Sequence, residues 1–127
     1  MQLTGNTILI TGGGSGIGRG LAEAFHAKGN QVIISGRRQA ALDEVTTANP
    51  GMAAFTVDMA DASSIAAFAN QVIAAHPGLN AVINNAGIMV NEDILAAPAY
   101  LDTGEQTIAT NLLGPIRLTA ALLPHLL

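Results

Sequence analysis

Five glycines, Gly12, Gly13, Gly14, Gly16 and Gly18, fall within the stretch Thr11 to Gly18, after the apolar run Thr7-Ile8-Leu9-Ile10 and before the helix-like stretch Ile17 to Lys28. The pattern is strand, glycine turn, helix start. Glycine lets the backbone turn tightly and approach a ligand, while the first-turn amides and the helix dipole favour a negative charge in the gap. A diphosphate suits such a place without any basic residue in the loop. The spacing is Thr-Gly-x-x-x-Gly-x-Gly and not Gly-x-Gly-x-x-Gly, which would put Ile17 or Arg19 in the third glycine position. A kinase-type phosphate loop is excluded because no Gly-Lys-Ser/Thr follows.

Three more groups fall at the ends of short apolar runs. Gln31 to Ser35 reads as a second strand, apolar on both faces, ended by Gly36-Arg37-Arg38. Met52 to Val57 reads as a third, with Asp58 and Met59 just beyond it, and Ala81 to Asn84 as a fourth, running into Asn85-Ala86-Gly87. Between them the spacing predicts helices over Ala40 to Ala48 and after Asp61, a helix-capping residue, with Ile65, Phe68, Val72 and Ile73 on one face. Strands alternating with helices imply right-handed crossovers, a parallel sheet covered on both faces, and ligand binding at the carboxyl ends of the strands. Gly12, Arg37, Asp58 and Asn85 then converge on one edge. The expected architecture is a doubly wound α/β sheet of about four strands forming one dinucleotide-binding domain over residues 1–127.

Residues 87–99, with Asn91, Glu92, Asp93 and Pro98, predict a loop, and the chain is expected to be helical from Leu101 with a kink at Gly114-Pro115. That late helix carries Leu112, Leu113, Ile116, Leu118, Leu122, Leu123, Leu126 and Leu127 round most of its circumference, more than one sheet face can bury. Half of the 127 residues are apolar, enough for a sizeable aliphatic core, and only 11% are charged. The net charge of -4 and the lack of a basic cluster argue against nucleic-acid or anionic-membrane partners. There is no cysteine, and His26, His76 and His125 are isolated, read as solvent or capping residues, so no metal site is expected. With no apolar run near the ~20 residues of a membrane span and no signal-like start, a cytoplasmic location is the expectation.

Thr11-Gly12-x-x-x-Gly16-Ile17-Gly18, Asp58, Asn84-Asn85-Ala86-Gly87 and Thr110-Asn111-Leu112, in this order and spacing, resemble the short-chain dehydrogenase/reductase family over the whole chain. The stretch Asn84 to Leu95 also resembles the reductases associated with lipoteichoic-acid alanylation operons. The resemblance implies a nicotinamide-dependent oxidoreductase acting on a small carbonyl or alcohol substrate. Gly12, Ser15, Gly16, Ile17 and Gly18 would surround the pyrophosphate, and Asp58 would hydrogen-bond the adenine amino group, with Met59 beside it. Asn84, Asn85, Ala86 and Gly87 would lie along the adenosine ribose and stabilise the central sheet, with Thr11 bridging to them. Asn111 matches the asparagine of the family's Asn-Ser-Tyr-Lys catalytic set, where it kinks the helix and holds a water on the proton relay.

The family's Ser and Tyr-x-x-x-Lys are not matched: the single tyrosine, Tyr100, has Gly104 four residues on, and the single lysine is Lys28. The chain therefore reads as the cofactor-binding half, truncated before those residues and inactive alone. A non-catalytic nucleotide-binding or interaction module on the same half-fold is the other reading, though it has no need of Asn111. Arg37 stands where an NAD site would want an acid, and a guanidinium suits a phosphate dianion, which favours NADP over NAD. Against this, Arg37 and Arg38 also read as a solvated turn, and Asp58 as a turn cap. The apolar late helix and the unpaired edge of the fourth strand predict a homo-oligomer formed through the C-terminal helix.

Overall fold

The computed structural model describes residues 2–89, 95 and 99–127. Most of the expected loop of residues 87–99, including Glu92 and Asp93, lies outside the described residues. Strand β1 (Thr7–Thr11), helix α1 (Gly16–Ala27), β2 (Gln31–Gly36), α2 (Gln39–Ala48), β3 (Ala53–Thr56), α3 (Ala62–Ala75) and β4 (Ala81–Ile83) alternate as expected. The four strands form one parallel sheet in the order β3-β2-β1-β4, with Thr11 opposite Ser35 and Ser35 opposite Phe55. The chain winds outward from β1 to β3 and then crosses back to β4, so the strand order reverses beside β1. A crevice forms at such a switch point.

Strand alternation divides the core in two. Ile8, Ile10, Val32 and Ile34 pack with Ala22 of α1 and Leu42 and Val45 of α2. Leu9 and Ile33 pack on the other side with Ile65, Phe68 and Val72 of α3 and with Leu118 and Leu122 of the late helix. Because both faces are covered, the central strands are apolar at consecutive positions and fully buried. Asp61 caps α3 by accepting from the amides of Ser63 and Ser64; the Ser63 hydroxyl and these amides hold its carboxyl below the usual carboxylate range. His76, expected to be a solvent or capping residue, ends α3 and also sets its ring edge-on to Phe55 at 6.2 Å.

The late helical region begins at α4 (Ala99–Ile108), earlier than expected, passes through a π turn (Ala109–Leu113) and continues as α5 (Gly114–Leu126). The irregularity expected at Gly114-Pro115 thus takes the form of a widened turn just before the proline, closed by the Gly114 amide bonding to the Ala109 carbonyl. Widening the turn lets the helix accommodate a residue without an N–H. A Cβ at Gly114 would lie 2.5 Å from the Met59 carbonyl oxygen, so glycine is what lets α5 press against the end of β3. Leu118 and Leu122 are fully buried, whereas Leu112, Ile116 and Leu123 are about half exposed and Leu127 is almost wholly so. Among the described residues no helix is long and apolar enough to cross a membrane.

Candidate functional site

The glycine turn is fixed by close contacts that forbid side chains. Gly12 has φ +69°, and a Cβ there would meet the Ala86 backbone at 2.9 Å. A Cβ on Gly13 would run into the Ile34 side chain, and one on Gly18 into the Gly12 carbonyl and the Asn85 amide. The amides of Gly12 and Gly13 both donate to the Ser35 carbonyl, at 2.9 and 3.2 Å, tying the turn to the end of β2. On its other side the turn is tied to the segment after β4. Buried Thr11 accepts at Oγ1 from the amides of Asn85 and Ala86, each at 3.0 Å, and Asn85 Nδ2 donates to the carbonyls of Thr11 and Gly12.

These ties hold open a cleft of about 430 Å³ across the carboxyl ends of the strands. Gly12 and Ser15 line it from the turn, Arg37 and Arg38 from the end of β2, Asp58 and Met59 from the end of β3, and Ala86 and Gly87 from the end of β4. Gly16, Ile17, Gly18, Asn85 and Asn111 stand next to the cleft without lining it. Gly18 and Asn85 are packed beneath the turn, which makes them builders of its shape. Ile17 projects into solvent, 78% exposed.

The rim carries Arg37 and Arg38 on one side and the Asp58 carboxylate on the other, with no ion pair between them. Among the described residues neither the Arg37 nor the Arg38 guanidinium has a hydrogen-bond or ion-pair partner, whereas Arg19 on α1 pairs with Glu23 and with Glu44 of α2. Ser15 makes no capping hydrogen bond to its own helix, so no side chain satisfies the first-turn amides of α1. Asp58 closes a turn by accepting from the Ala60 amide at 2.9 Å, yet also lines the cleft, so its capping role and its place at the site coexist. Asn111, within the π turn, accepts from the Ile88 amide at 2.8 Å and donates to the Ile88 carbonyl at 2.6 Å. Both halves of its side chain are engaged in fixing the segment that leaves β4. Thr110, part of the Thr110-Asn111-Leu112 motif, also lines the cleft. Ser35 carries no sequence signal and Gly114 reads only as part of a kink: their places come from which strands and helices meet.

A parallel, doubly wound sheet with a glycine turn and a cleft at its switch point defines a Rossmann-type fold. The profile described as short chain dehydrogenase matches residues 6–127, and the chain belongs to that family. It is 38% identical over its whole length to the uncharacterized oxidoreductase DltE of Bacillus subtilis, covering 50% of that protein. It is 33% identical to the fatty acyl-CoA reductase of Acinetobacter baylyi, with 99% of this chain and 44% of that protein covered. Among solved structures, L-sorbose reductase from Gluconobacter frateurii, complexed with NADPH and L-sorbose, superposes with a TM-score of 0.86 at 26% identity over 97% of this chain and 48% of that one. The chain thus spans about half the length of these relatives. Among the described residues no group of three His, Asp or Glu could hold a metal ion.

Proposed function

We propose that this chain is the dinucleotide-binding part of an NADP-dependent oxidoreductase acting on a small carbonyl or alcohol. A nicotinamide cofactor bound here supplies hydride transfer. The observation that carries the NADP reading is the pair of guanidinium groups at the end of β2, which line the cleft and, among the described residues, have no carboxylate in ion-pair contact with them. The glycine cradle fits the group, because added Cβ atoms would close it.

Each residue has a task in this reading. Gly12, Ser15, Gly16, Ile17 and Gly18 surround the pyrophosphate, with the first-turn amides of α1 as its donors, and Arg37 pairs with the 2'-phosphate through its forked donors. Asp58, with Met59 beside it, accepts from the adenine amino group, while Asn85, Ala86 and Gly87 form the opposite wall. Asn111 positions Ile88 and the wall that follows. A proton donor for the substrate oxygen is not supplied by Asn111, whose side chain is already paired. We further propose that the protein works in the cytoplasm and that the half-exposed face of α5, around Ile116 and Leu123, joins copies of the chain.

The test is a fluorescence titration with NADPH followed by steady-state NADPH oxidation over a panel of small aldehydes and ketones. Saturable binding without turnover above a heat-killed control is expected for these 127 residues. Turnover that disappears in Asn111→Ala would show that this stretch carries its own proton donor. Light scattering on the same sample is expected to give at least a dimer.

A further inference from the structure

The outer walls of the cleft follow β3 and β4, which stand at opposite ends of the strand order with β2 and β1 between them. A single three-residue step of the late helical region touches both. Asn111 clamps the backbone of Ile88 after β4, and Gly114 lies against the backbone of Met59 after β3. Ile88 and Met59 both line the cleft.

Gly114 itself is buried and does not line the cleft. Its amide closes the π turn on the Ala109 carbonyl, and a Cβ there would lie 2.5 Å from the Met59 carbonyl oxygen and 3.3 Å from Met59 Cβ. Ordinary contact needs about 3.5 Å, so a methyl group fits only after roughly 1 Å of movement. The obstacle is backbone, which cannot turn aside as a side chain would. On the Met59 side, the turn is held by the Asp61 amide on the Asp58 carbonyl at 3.1 Å and by the Ala60 amide on the Asp58 carboxylate at 2.9 Å. On the other side, α5 is anchored by Leu118 and Leu122 in the core, and the π turn by Asn111. Whichever side yields, lining residues move: Asp58 and Met59 in the first case, Thr110 and Ile88 in the second. A binding constellation tolerates only about 0.5 Å of such displacement.

We propose that Gly114 is a positioning residue for the cleft: the lack of a side chain there sets how closely the wall after β3 approaches the wall after β4, and so how well a nucleotide fits between them. This rests on the cleft being a dinucleotide site. The π turn gains a task as well, since its widened geometry lets one short segment reach Ile88 and Met59 together.

Calorimetric titration with adenosine 2',5'-bisphosphate tests this on the wild-type chain, on Gly114→Ala and on Leu122→Val, which trims the core beneath the same helix without touching the cleft. Gly114→Ala is expected to lower the affinity of the folded protein about tenfold, the upper range of one net hydrogen bond, whereas Leu122→Val stays within about twofold. The amide resonances of Asp58, Met59 and Ala60 should move in ligand-free Gly114→Ala and hold their positions in Leu122→Val. Unchanged affinity in Gly114→Ala would overturn the proposal, and so would an equal loss in both variants, which marks a merely structural glycine. Hydrogen exchange on the wild-type chain decides the matter if Gly114→Ala fails to fold. The bisphosphate should slow exchange of the buried Gly114 amide more than that of Val72 in α3, and equal slowing at both would refute the coupling. A wild-type chain that binds no adenine nucleotide would overturn the dinucleotide reading itself, and this inference with it.

Discussion

The two ends of the sheet treat polar groups in opposite ways. At the amino end, Asn30 is buried and fully used: it donates to the carbonyls of Leu3 and Phe25 and accepts from the backbone and side chain of Asn6. Asn80 completes the set, donating to the Asn6 side chain at 3.0 Å and accepting from the Thr7 amide at 2.9 Å. At the carboxyl end Ser35 Oγ and the guanidinium groups of Arg37 and Arg38 have no partner among the described residues. Both ends lie on the same strands, so the difference is not one of architecture. Saturated polar groups lock a fold; unsaturated ones at a concave edge wait for something to bind.

Gly18→Ala is the substitution best placed to break this contrast, because it lies at the carboxyl end yet does packing work. Its new methyl would collide with the Gly12 carbonyl and the Asn85 amide, both part of the turn's own framework. Chemical denaturation is expected to show a loss of about 3 kcal/mol or more, together with loss of nucleotide binding. A variant as stable as the wild type would mean that the turn relaxes easily and that its shape is not set by this contact.

Asn30→Ala sharpens the contrast from the other end. Removing the side chain leaves the Leu3 carbonyl and the Asn6 amide short of a partner, while the Phe25 carbonyl keeps the backbone amides of Lys28 and Asn30, at an expected cost of about 1 to 3 kcal/mol in denaturation. NADPH affinity of the folded fraction should stay within about twofold, less than the effect of one net hydrogen bond. A large loss of affinity at matched stability would show the two ends to be coupled.

Much of this contrast is legible in the residues before any coordinates, and the reasons are local. Glycine and Asn-Pro-Gly punctuation marks the turns, and unbroken runs such as Val32-Ile33-Ile34 mark strands buried on both faces, so most element boundaries fall within a residue or two of expectation. The convergence of Gly12, Arg37, Asp58 and the Asn85 segment follows from parallel winding alone. What depends on the approach of distant segments is not legible. Gly114 looks like half of a Gly-Pro kink, and only the nearness of the Met59 carbonyl explains it. Asn111 carries the family pattern, but its double bond to Ile88 comes from the meeting of the π turn with the segment after β4. Ser35 is one serine in an apolar strand, and its lack of a partner is a property of three strands together.

The most direct test of the central claim is the ratio of NADP to NAD affinity, measured by calorimetry on the wild-type chain and on Arg37→Ala. The wild type should prefer NADP, and the variant should lose about 10- to 100-fold of that ratio, equivalent to about 1.5 to 3 kcal/mol for one charge-assisted contact, while its NAD affinity holds. A ratio unchanged by the substitution, in a variant that still binds cofactor, would contradict the assignment of the unpaired arginine at the end of β2 as the group that selects NADP.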